Sequence, residues 1–370
     1  MTAIHSILFL LFTRPLVGDE SAASSWAMHR GNSQLTGVVR AELPNPLAIR
    51  WKFQTSEPFS SSAAIFNGRV FVGCDDGFLY SLDLNRGSLI WKFQAKGPVQ
   101  SSPLIADGKV IVGDDTGTIH AVDAQTGQHV WSFSTEGQLI SSPNRDASRI
   151  VIGSYDGFVY CVDLSDGALQ WKCETEGKVH GTPGISDGHV LVAGCDEGLH
   201  VLSLVDGKEV RKISIGSMSG TSAAIFGSRV FIGTYGNQVR CIDWREGKTI
   251  WTFEDPDRQF PFASSAAVTE KVVIIGGRDK RLRCFDAQSG KVRWTLVTGG
   301  RIDASPIIAG RNVLAGSGDG NLYTLDLETG KELSRLDLGS PITASPAVAD
   351  GALVIGTQDG VLYCLGQPRS

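Results

Sequence analysis

The chain has 370 residues, with 34 Lys and Arg against 39 Asp and Glu, and therefore a formal net charge of −5. This mildly acidic balance argues against a protein that binds nucleic acid or an anionic membrane by electrostatic attraction. The seven cysteines include no adjacent pair and no Cys-x-x-Cys, so neither a zinc site nor a redox pair is predicted, and their odd number argues against a disulfide framework.

The first 25 residues are interpreted as a weak secretory signal. Residues 7–12 form an apolar run that is too short to span a bilayer, and residues 1–5 carry no Lys or Arg. No cysteine lies near the expected cleavage region, residues 18–25, so a lipid anchor at the mature N-terminus is not expected. We therefore expect a periplasmic or secreted protein without a direct membrane span.

A tryptophan recurs along the chain with a nearly constant spacing of 40 residues. The series is Trp51, Trp91, Trp131, Trp171, Arg211, Trp251, Trp294 and Ser334, so two of its eight positions hold another residue. A second marker, usually an aspartate such as Asp76 or Asp359, repeats with the same steps. Repeats of this length indicate the blades of a β-propeller, and eight repeats indicate eight blades.

Each repeat contains four short apolar runs separated by turns. In the second repeat the predicted strands are residues 101–106, 109–113, 118–122 and 129–133. The turn before the fourth strand has the pattern Asp-x-x-x-Gly, in which Asp can accept hydrogen bonds from turn amides and Gly can adopt a positive φ. These aspartates are therefore interpreted as structural rather than catalytic.

Both ends of the repeat array are incomplete. Residues 344–366 stop after a third strand, whereas residues 47–55 form a Trp-bearing strand with no blade before it. Pairing the two ends completes the last blade and removes an exposed sheet edge. The sequence thus predicts an all-β, eight-bladed propeller of four-stranded antiparallel blades over residues 47–366, preceded by a leading segment, residues 26–46, and followed by a tail, residues 367–370. The tryptophans are expected to pack between blades.

The repeat S-S-P-x-x-x-x-G-x-V-x-V-G-x-x-D-G-x-x-Y-x-x-D-x-x-T-G-x-x-x-W resembles the quinoprotein, or PQQ-like, repeat of dehydrogenases that use pyrroloquinoline quinone (PQQ). It also resembles the repeat of their non-enzymatic relatives, notably the outer-membrane assembly factor BamB family. Trp26, Arg30, Gly31 and Gly37 match the pattern W-x-x-x-R-G-x-x-x-x-x-G that precedes such propellers. WD40 repeats have a similar length but place Asp directly after Trp, where this chain has Lys, Ser or Thr.

In the PQQ enzymes, the resemblance implies a cofactor on the axis between a Trp and a vicinal disulfide, beside a calcium ion, with an Asp as base. This chain has no Cys-Cys pair and no long insertion that could build a pocket over the axis. The resemblance therefore implies a monomeric, non-enzymatic, exported scaffold that binds protein partners through its loops, such as envelope or outer-membrane assembly machinery, without cofactor, metal or catalytic residue. A small PQQ- and calcium-dependent dehydrogenase and a ligand-sensing propeller remain as alternatives.

The central channel offers one set of candidate residues. The residue that opens each first strand carries a hydroxyl in all eight repeats: Ser62, Ser102, Ser142, Thr182, Ser222, Ser265, Ser305 and Ser345. We expect these hydroxyls to bond backbone groups of the neighbouring strand. Two positions earlier the symmetry breaks, and Gln100, His180 and Asp303 are candidates for contact with a ligand or metal at the channel mouth.

A second set lies in a loop. The array changes length only at the 43-residue step after Trp251, in the loop formed by residues 254–262. Such a loop is a natural place for function. Phe262 aligns with Val99 and Ile302 and is expected to pack into the blade, whereas Phe260 has no equivalent. We predict that Arg258 and Phe260 bind a protein partner; alternatively, Phe260 only caps the groove between blades 5 and 6.

Overall fold

The structure is a computed structural model that describes residues 25–367, so the predicted signal segment lies outside the described residues apart from Ser25. Within that range the chain folds into eight sheets of four antiparallel strands, and one sheet gains a fifth strand. The innermost strands of adjacent sheets lie side by side, including those of the first and last sheets. The predicted eight-bladed propeller is confirmed.

The strands are numbered in chain order. Two precede the first full blade: β1 (Val38–Val39) and β2 (Ala48–Gln54). Blades 1 to 4 contain β3–β6 (Ala64–Phe66, Arg69–Gly73, Phe78–Asp83, Leu89–Gln94), β7–β10 (Leu104–Ala106, Lys109–Gly113, Thr118–Asp123, His129–Ser134), β11–β14 (Asn144–Asp146, Arg149–Gly153, Phe158–Asp163, Leu169–Glu174) and β15–β18 (Gly184–Ser186, His189–Ala193, Gly198–Ser203, Glu209–Ser214).

The second half continues the pattern. Blades 5 to 8 contain β19–β22 (Ala224–Phe226, Arg229–Gly233, Gln238–Asp243, Lys248–Glu254), β23–β26 (Ala267–Val268, Val272–Gly276, Arg281–Asp286, Val292–Val297), β27–β30 (Ile307–Ala309, Asn312–Gly316, Asn321–Asp326, Glu332–Asp337) and β31–β33 (Ala347–Ala349, Ala352–Gly356, Val361–Gly366). The only helical turn in the described range is a 3-10 turn, His29–Gly31. No helix in that range is both long and apolar enough to cross a membrane.

The N-terminal strand completes the last blade, as predicted. β2 pairs antiparallel with β33, and Trp51 lies opposite Cys364. The order of strands in this sheet is β2-β33-β32-β31, so the outermost strand of blade 8 comes from the start of the chain. This pairing joins the two ends of the array and leaves no three-stranded blade.

The first strands are shorter than the sequence predicted. In blade 2 the strand begins at Leu104 rather than residue 101. Pro103 has no N–H to donate to the sheet, and the N–H of Ser102 donates instead to the hydroxyl of Ser142 in the next blade, 2.9 Å away. The residues that open each first strand therefore join blades to one another rather than extend a sheet.

The repeated tryptophans pack between blades. Trp51 and Trp131 are buried and donate their indole N–H to the carbonyls of Leu84 and Leu164 in the following blade, at 2.8 and 3.0 Å. Gly87, whose φ is +70°, lies against the Trp51 ring, and a Cβ there would lie 2.6 Å from the ring. Burying each indole contributes roughly 2–3 kcal/mol.

The two departures from tryptophan have their own packing. Arg211 donates from its guanidinium to the carbonyls of Glu246 and Arg245, at 3.2 and 3.1 Å, and so spans the same boundary between blades. Ser334 donates to the side chain of Asn45 in the leading segment, at 2.5 Å. The leading segment passes this point on its way to blade 8.

The leading segment also covers one face of the ring. It bonds backbone groups of six first strands in succession: Trp26 with Ile65, Ala27 with Ile105, Ser33 with Ile185, Gln34 with Ile225, Thr36 with Val268, and Gly37 with Ile308. The Asn144 side chain of blade 3 also donates to the Ser33 carbonyl, at 2.8 Å. β1 then runs parallel to β27 as the fifth strand of blade 7. We call this side the capped face and the opposite side the open face.

Candidate functional site

The hydroxyls at the starts of the first strands form a closed ring around the axis. In every blade the N–H of this residue donates to the hydroxyl oxygen of its counterpart in the next blade, over distances of 2.9 to 3.2 Å. The last bond, from Ser345 to Ser62, closes the circle at 3.0 Å. Eight equivalent bonds therefore hold the blades together at the axis.

These hydroxyls line an axial cavity of about 150 Å³. Gln100, His180 and Asp303, the candidates at the channel mouth, all line the same cavity. His29 of the leading segment lines its capped end. The structure thus brings the three candidates around one channel, on the side opposite the leading segment.

A further position, which the sequence analysis missed, surrounds the mouth. It is the residue before the repeated aspartate in each turn between second and third strands: Asp75, Asp115, Tyr155, Cys195, Tyr235, Arg278, Gly318 and Gln358. Each of these residues donates its N–H to the loop that enters its own blade. The residue type at this position differs between blades, and this variation within an otherwise regular repeat was the signal that could have identified these residues. They divide the mouth into three sectors of different chemistry.

The first sector is acidic and belongs to blades 1 and 2. Burial raises the pKa of Asp75, even though the Ser60 hydroxyl donates to it at 2.7 Å. Burial also raises the pKa of Asp115, and the negative charges of Asp75 and Asp114 add to the effect. One carboxylate oxygen of Asp75 and one of Asp115 are buried without a hydrogen-bond partner in the described structure. This sector therefore disfavours ionisation of its own carboxyl groups.

The second sector contains aromatic side chains and a histidine. The Tyr155 hydroxyl lies 2.5 Å from Nδ1 of His180. Burial lowers the pKa of His180 and raises that of Tyr155 to about 12, so at neutral pH a neutral phenol and a neutral imidazole share this hydrogen bond. A Cβ on Gly220 would lie 2.8 Å from the Tyr235 hydroxyl and 3.4 Å from the His180 ring, so the missing side chain allows both rings to line the mouth.

The third sector is a paired charge cluster on blades 6 and 7. Asp303 accepts a hydrogen bond from Arg278 at 2.8 Å and lies 2.8 Å from the guanidinium of Arg301. This hydrogen bond raises the pKa of Arg278, with Asp303 as its partner. Asp303 is thus engaged by two guanidinium groups, which makes it a weak candidate for binding a cation.

The mouth does not fit the PQQ and calcium of the alternative enzyme. No two cysteines are adjacent in the chain, so a vicinal disulfide cannot form, and the tryptophans of the repeat lie in outer strands rather than at the axis. In the described range no cluster of three or more His, Cys, Asp or Glu side chains could hold a metal ion.

The inserted loop presents Arg258 and Phe260 on the open face. Both are exposed, and Phe260 has 46% of its side chain accessible. Phe262 is buried and packs edge-on against Phe253, with ring centroids 6.2 Å apart. At the other end of the loop the buried Asp255 accepts a hydrogen bond from Arg283 at 2.6 Å. Both ends of the loop are therefore held in place, and its middle, with Arg258 and Phe260, is exposed to solvent.

Three large apolar side chains, including Phe260, are exposed on the open face around blade 5. Met218, Tyr235 and Phe260 are 47%, 38% and 46% exposed, and all lie on blade 5 or in the loops that flank it on the open face. The other large exposed hydrophobics of the described range lie in outer strands or, for Val205, in a turn on the capped side. We call these three residues the blade-5 patch. Met218 and Tyr235 were not among the candidates from sequence.

Comparisons with known proteins identify the repeat. The family model described as outer membrane protein assembly factor BamB matches residues 36–143 and 115–210. No curated protein matches the sequence. The crystal structure of BamB from Moraxella catarrhalis is similar, with 18% identity and a TM-score of 0.73 over 87% of this chain and 100% of that one.

Other solved propellers are equally similar. A computationally designed protein, Ika8, has 20% identity and a TM-score of 0.76 over 85% of this chain and 98% of its own. A europium-containing methanol dehydrogenase has 13% identity and a TM-score of 0.76 over 93% of this chain and 98% of its own. Because an outer membrane protein assembly factor, a designed protein and a dehydrogenase all match with TM-scores of 0.73 to 0.76 and at most 20% identity, these structures show the fold alone. The chain is an eight-bladed propeller of PQQ-like repeats that resembles the BamB family.

Proposed function

We propose that this protein is a non-enzymatic, exported scaffold of the BamB type that binds a protein partner through the blade-5 patch, with Arg258 beside it. The observation that carries the proposal is the exposure of Met218, Tyr235 and Phe260 on blade 5 and its flanking loops, all on the open face. Large apolar side chains that are exposed near one another are typical of interaction surfaces.

The chemistry and order of the patch support this role. Aromatic residues, Met and Arg are enriched at protein interfaces. The backbone beneath the patch is held in place: the N–H of Tyr235 donates to the Met218 carbonyl at 2.9 Å, and that of Arg278 donates to the Pro261 carbonyl at 2.9 Å. A partner would therefore meet a surface that loses little conformational entropy on binding.

The residues of the channel mouth favour a scaffold over an enzyme. The mouth lacks side chains that fit PQQ and calcium, and Asp303, one of its candidate residues, is already paired with two guanidinium groups. The matched family suggests a partner in outer-membrane assembly or elsewhere in the envelope, in agreement with the signal segment predicted for residues 1–25. Nucleic acid is not expected, since the chain is acidic overall.

The test is the affinity for a protein that copurifies from the envelope fraction of the source cells and is identified by mass spectrometry. Replacing both Phe260 and Arg258 with Ala should leave the melting temperature unchanged and weaken binding by roughly 2 kcal/mol or more. Met218→Ser should also weaken binding. Val205→Ala is the matched control, because Val205 is 69% exposed but lies on the capped side.

Two results would contradict the proposal. Unchanged affinity in the folded double variant would exclude the blade-5 patch. A large fall in melting temperature would instead show that Phe260 caps the groove between blades 5 and 6 and contributes to stability.

A further inference from the structure

The boundary between blades 4 and 5 lacks the repeated tryptophan and contains a cavity. Arg211 takes the tryptophan position there, and it lies opposite Val201 as Trp171 lies opposite Cys161 in the preceding blade. The cavity has a volume of about 380 Å³, and Val201, Arg211 and Trp244 are among the residues that line it. This volume lies within the range of roughly 300 to 1,000 Å³ that is usual for pockets that bind small molecules.

Arg211 follows the course of the tryptophan that it replaces. A Cβ on Gly247 would lie 2.6 Å from Nη1 of Arg211, just as a Cβ on Gly87 would lie 2.6 Å from the Trp51 ring. The Arg211 side chain is a narrow chain with a polar end, however, whereas an indole is a broad apolar ring. The replacement therefore covers less of the apolar wall between the blades and adds a positive charge at the same place.

The leading segment contacts the other boundary that lacks a tryptophan, but it does not reach this cavity. Between blades 7 and 8, the hydroxyl of Ser334 donates to the side chain of Asn45 at 2.5 Å. No residue of the leading segment, all of which the structure describes, lines the cavity beside Arg211. Val210, which also lines it, is 58% exposed. The cavity is therefore accessible to a molecule from solvent.

An aromatic side chain forms the inner wall of the cavity. Trp244 takes the turn position that holds Leu164 and Leu204 in the two preceding blades. It is 3% exposed, and its indole N–H donates to the carbonyl of Gly227 at 3.2 Å, which holds the ring in place. His189, which also lines the cavity, lies against this indole with ring centroids 5.2 Å apart. A planar apolar ligand would meet a large, ordered contact surface here.

The cavity also contains a guanidinium without an acidic partner. Arg211 donates to the carbonyls of Arg245 and Glu246, at 3.1 and 3.2 Å, and forms no salt bridge with any residue that the structure describes. These bonds use two of its five N–H groups, so three remain available to a ligand. Arg245, by contrast, lies over the Trp244 ring and is paired with Asp187. One unpaired positive charge therefore lines the cavity and favours an anionic ligand.

We propose that the cavity between blades 4 and 5 binds a small aromatic carboxylic acid. The aromatic ring packs against Trp244 and Val201, and the carboxylate accepts hydrogen bonds from the guanidinium of Arg211. The turn that contains Trp244 joins the third and fourth strands of blade 5, on the capped side. The site is therefore separate from the blade-5 patch on the open face, and it does not depend on the proposed protein partner.

The experiment uses the full chain and three probes: benzoate, phenylacetate and indole-3-acetate. Isothermal titration calorimetry should show saturable binding of at least one acid. The uncharged amide of that acid should bind about tenfold more weakly, because the hydrogen bond to a charged group is lost. No saturable binding of any of the three acids would overturn the proposal, and so would equal affinity for the acid and its amide.

Arg211→Met should weaken binding of the acid about tenfold or more, for the same reason. Arg69→Met is the matched control. The guanidinium of Arg69 also donates to two successive carbonyls, those of Ala124 and Gln125 at 3.0 and 3.1 Å, but at the boundary between blades 1 and 2. This variant should bind the acid as the wild type does. Unchanged affinity in folded Arg211→Met would contradict the site.

A double variant tests whether the missing tryptophan creates the site. Arg211→Trp combined with Trp244→Leu restores the pair of residue types that Trp171 and Leu204 form at the preceding boundary. The new indole should fill the cavity, so we expect a melting temperature no lower than that of the wild type and no saturable binding of the acid. Wild-type affinity in the double variant would show that the acid binds elsewhere.

Diffraction from wild-type crystals soaked in the tightest-binding acid gives a result that does not depend on a variant folding. Electron density for the acid is expected between Trp244 and Arg211. Density for the acid only at another place, such as the channel mouth, at a concentration that saturates the calorimetric signal would exclude the site.

Discussion

The two faces of the ring use the same repeat for different purposes. On the capped face, successive residues of the leading segment bond the first strands of blade after blade through backbone groups. On the open face, the residue before the repeated aspartate differs from blade to blade. It carries a carboxylate in blades 1 and 2, a phenol in blades 3 and 5, and a guanidinium in blade 6. Backbone bonding therefore preserves the symmetry of the ring on the face that needs rigidity, and side chains break that symmetry on the face that is open to a partner.

The capped face should be the more sensitive to deletion. Removing residues 1–55 eliminates both the cap and β2, the outer strand of blade 8, so we expect loss of cooperative unfolding or aggregation. Removing residues 1–25 should leave stability unchanged, because the cap and β2 remain. Thermal unfolding, monitored by circular dichroism, distinguishes the two truncated proteins. Equal melting curves would show that the N-terminal strand does not close the ring.

A single methyl group on the capped face should have the next largest effect. Gly37→Ala places a Cβ against the Arg30 guanidinium at a positive φ, and we expect roughly 3 kcal/mol of destabilisation. Gly68→Ala is the control, because Gly68 has a φ of +70° but no atom within 4 Å of the added Cβ. It should lose only roughly 1 kcal/mol. Equal losses in chemical denaturation would mean that the contact with Arg30 is unimportant.

Two adjacent aspartates on the open face should respond to pH in opposite directions. Burial alone would raise the pKa of Asp114, but hydrogen bonds from His120, Thr116 and Thr118 outweigh it and lower the pKa to about 2. Its stabilising contribution is therefore present above the ordinary pKa of 3.8 and is lost as the pH falls towards 2. Asp114→Asn should destabilise the protein at pH 7, and the difference from wild type should shrink in acid.

The pKa of Asp115 is shifted in the opposite direction, so its effect on stability depends on pH in the opposite way. Its pKa is raised, so its contribution is favourable below the ordinary pKa of 3.8 and is lost as the pH rises through the folded-state pKa. Asp115→Asn should therefore stabilise the protein at pH 7 and have little effect in acid. Denaturant unfolding of both variants at several pH values is the measurement, and destabilisation by Asp115→Asn at neutral pH would contradict this interpretation of the acidic sector.

Reconstitution with PQQ and calcium should have the smallest effect of all. We expect no absorption band of bound quinone and no dye reduction with alcohols or sugars, since the mouth has no residues that fit the cofactor. A stoichiometric complex with turnover would instead establish the dehydrogenase alternative and would make the open face a catalytic surface.

Much of this architecture could be predicted from sequence because a propeller is built from local units. The spacing of Trp51 and its counterparts, the four strands of each repeat and the unpaired strand at residues 47–55 are all properties of short stretches compared with one another. Hairpins between neighbouring strands determine each blade, and Asp-x-x-x-Gly turns determine each hairpin. The predicted role of Phe262 as a packing residue also followed from alignment within the repeat.

Only the tertiary structure could decide what lies outside the repeat. The leading segment has no periodicity, so nothing in the sequence indicated that Arg30 would reach Ala266 in blade 6, 236 positions away along the chain. Met218, Tyr235 and Phe260 come from two loops and a turn that are adjacent only after blades 4, 5 and 6 are placed side by side. Contacts of this kind depend on ring closure, which brings together residues whose distance along the chain carries no information about their distance in space.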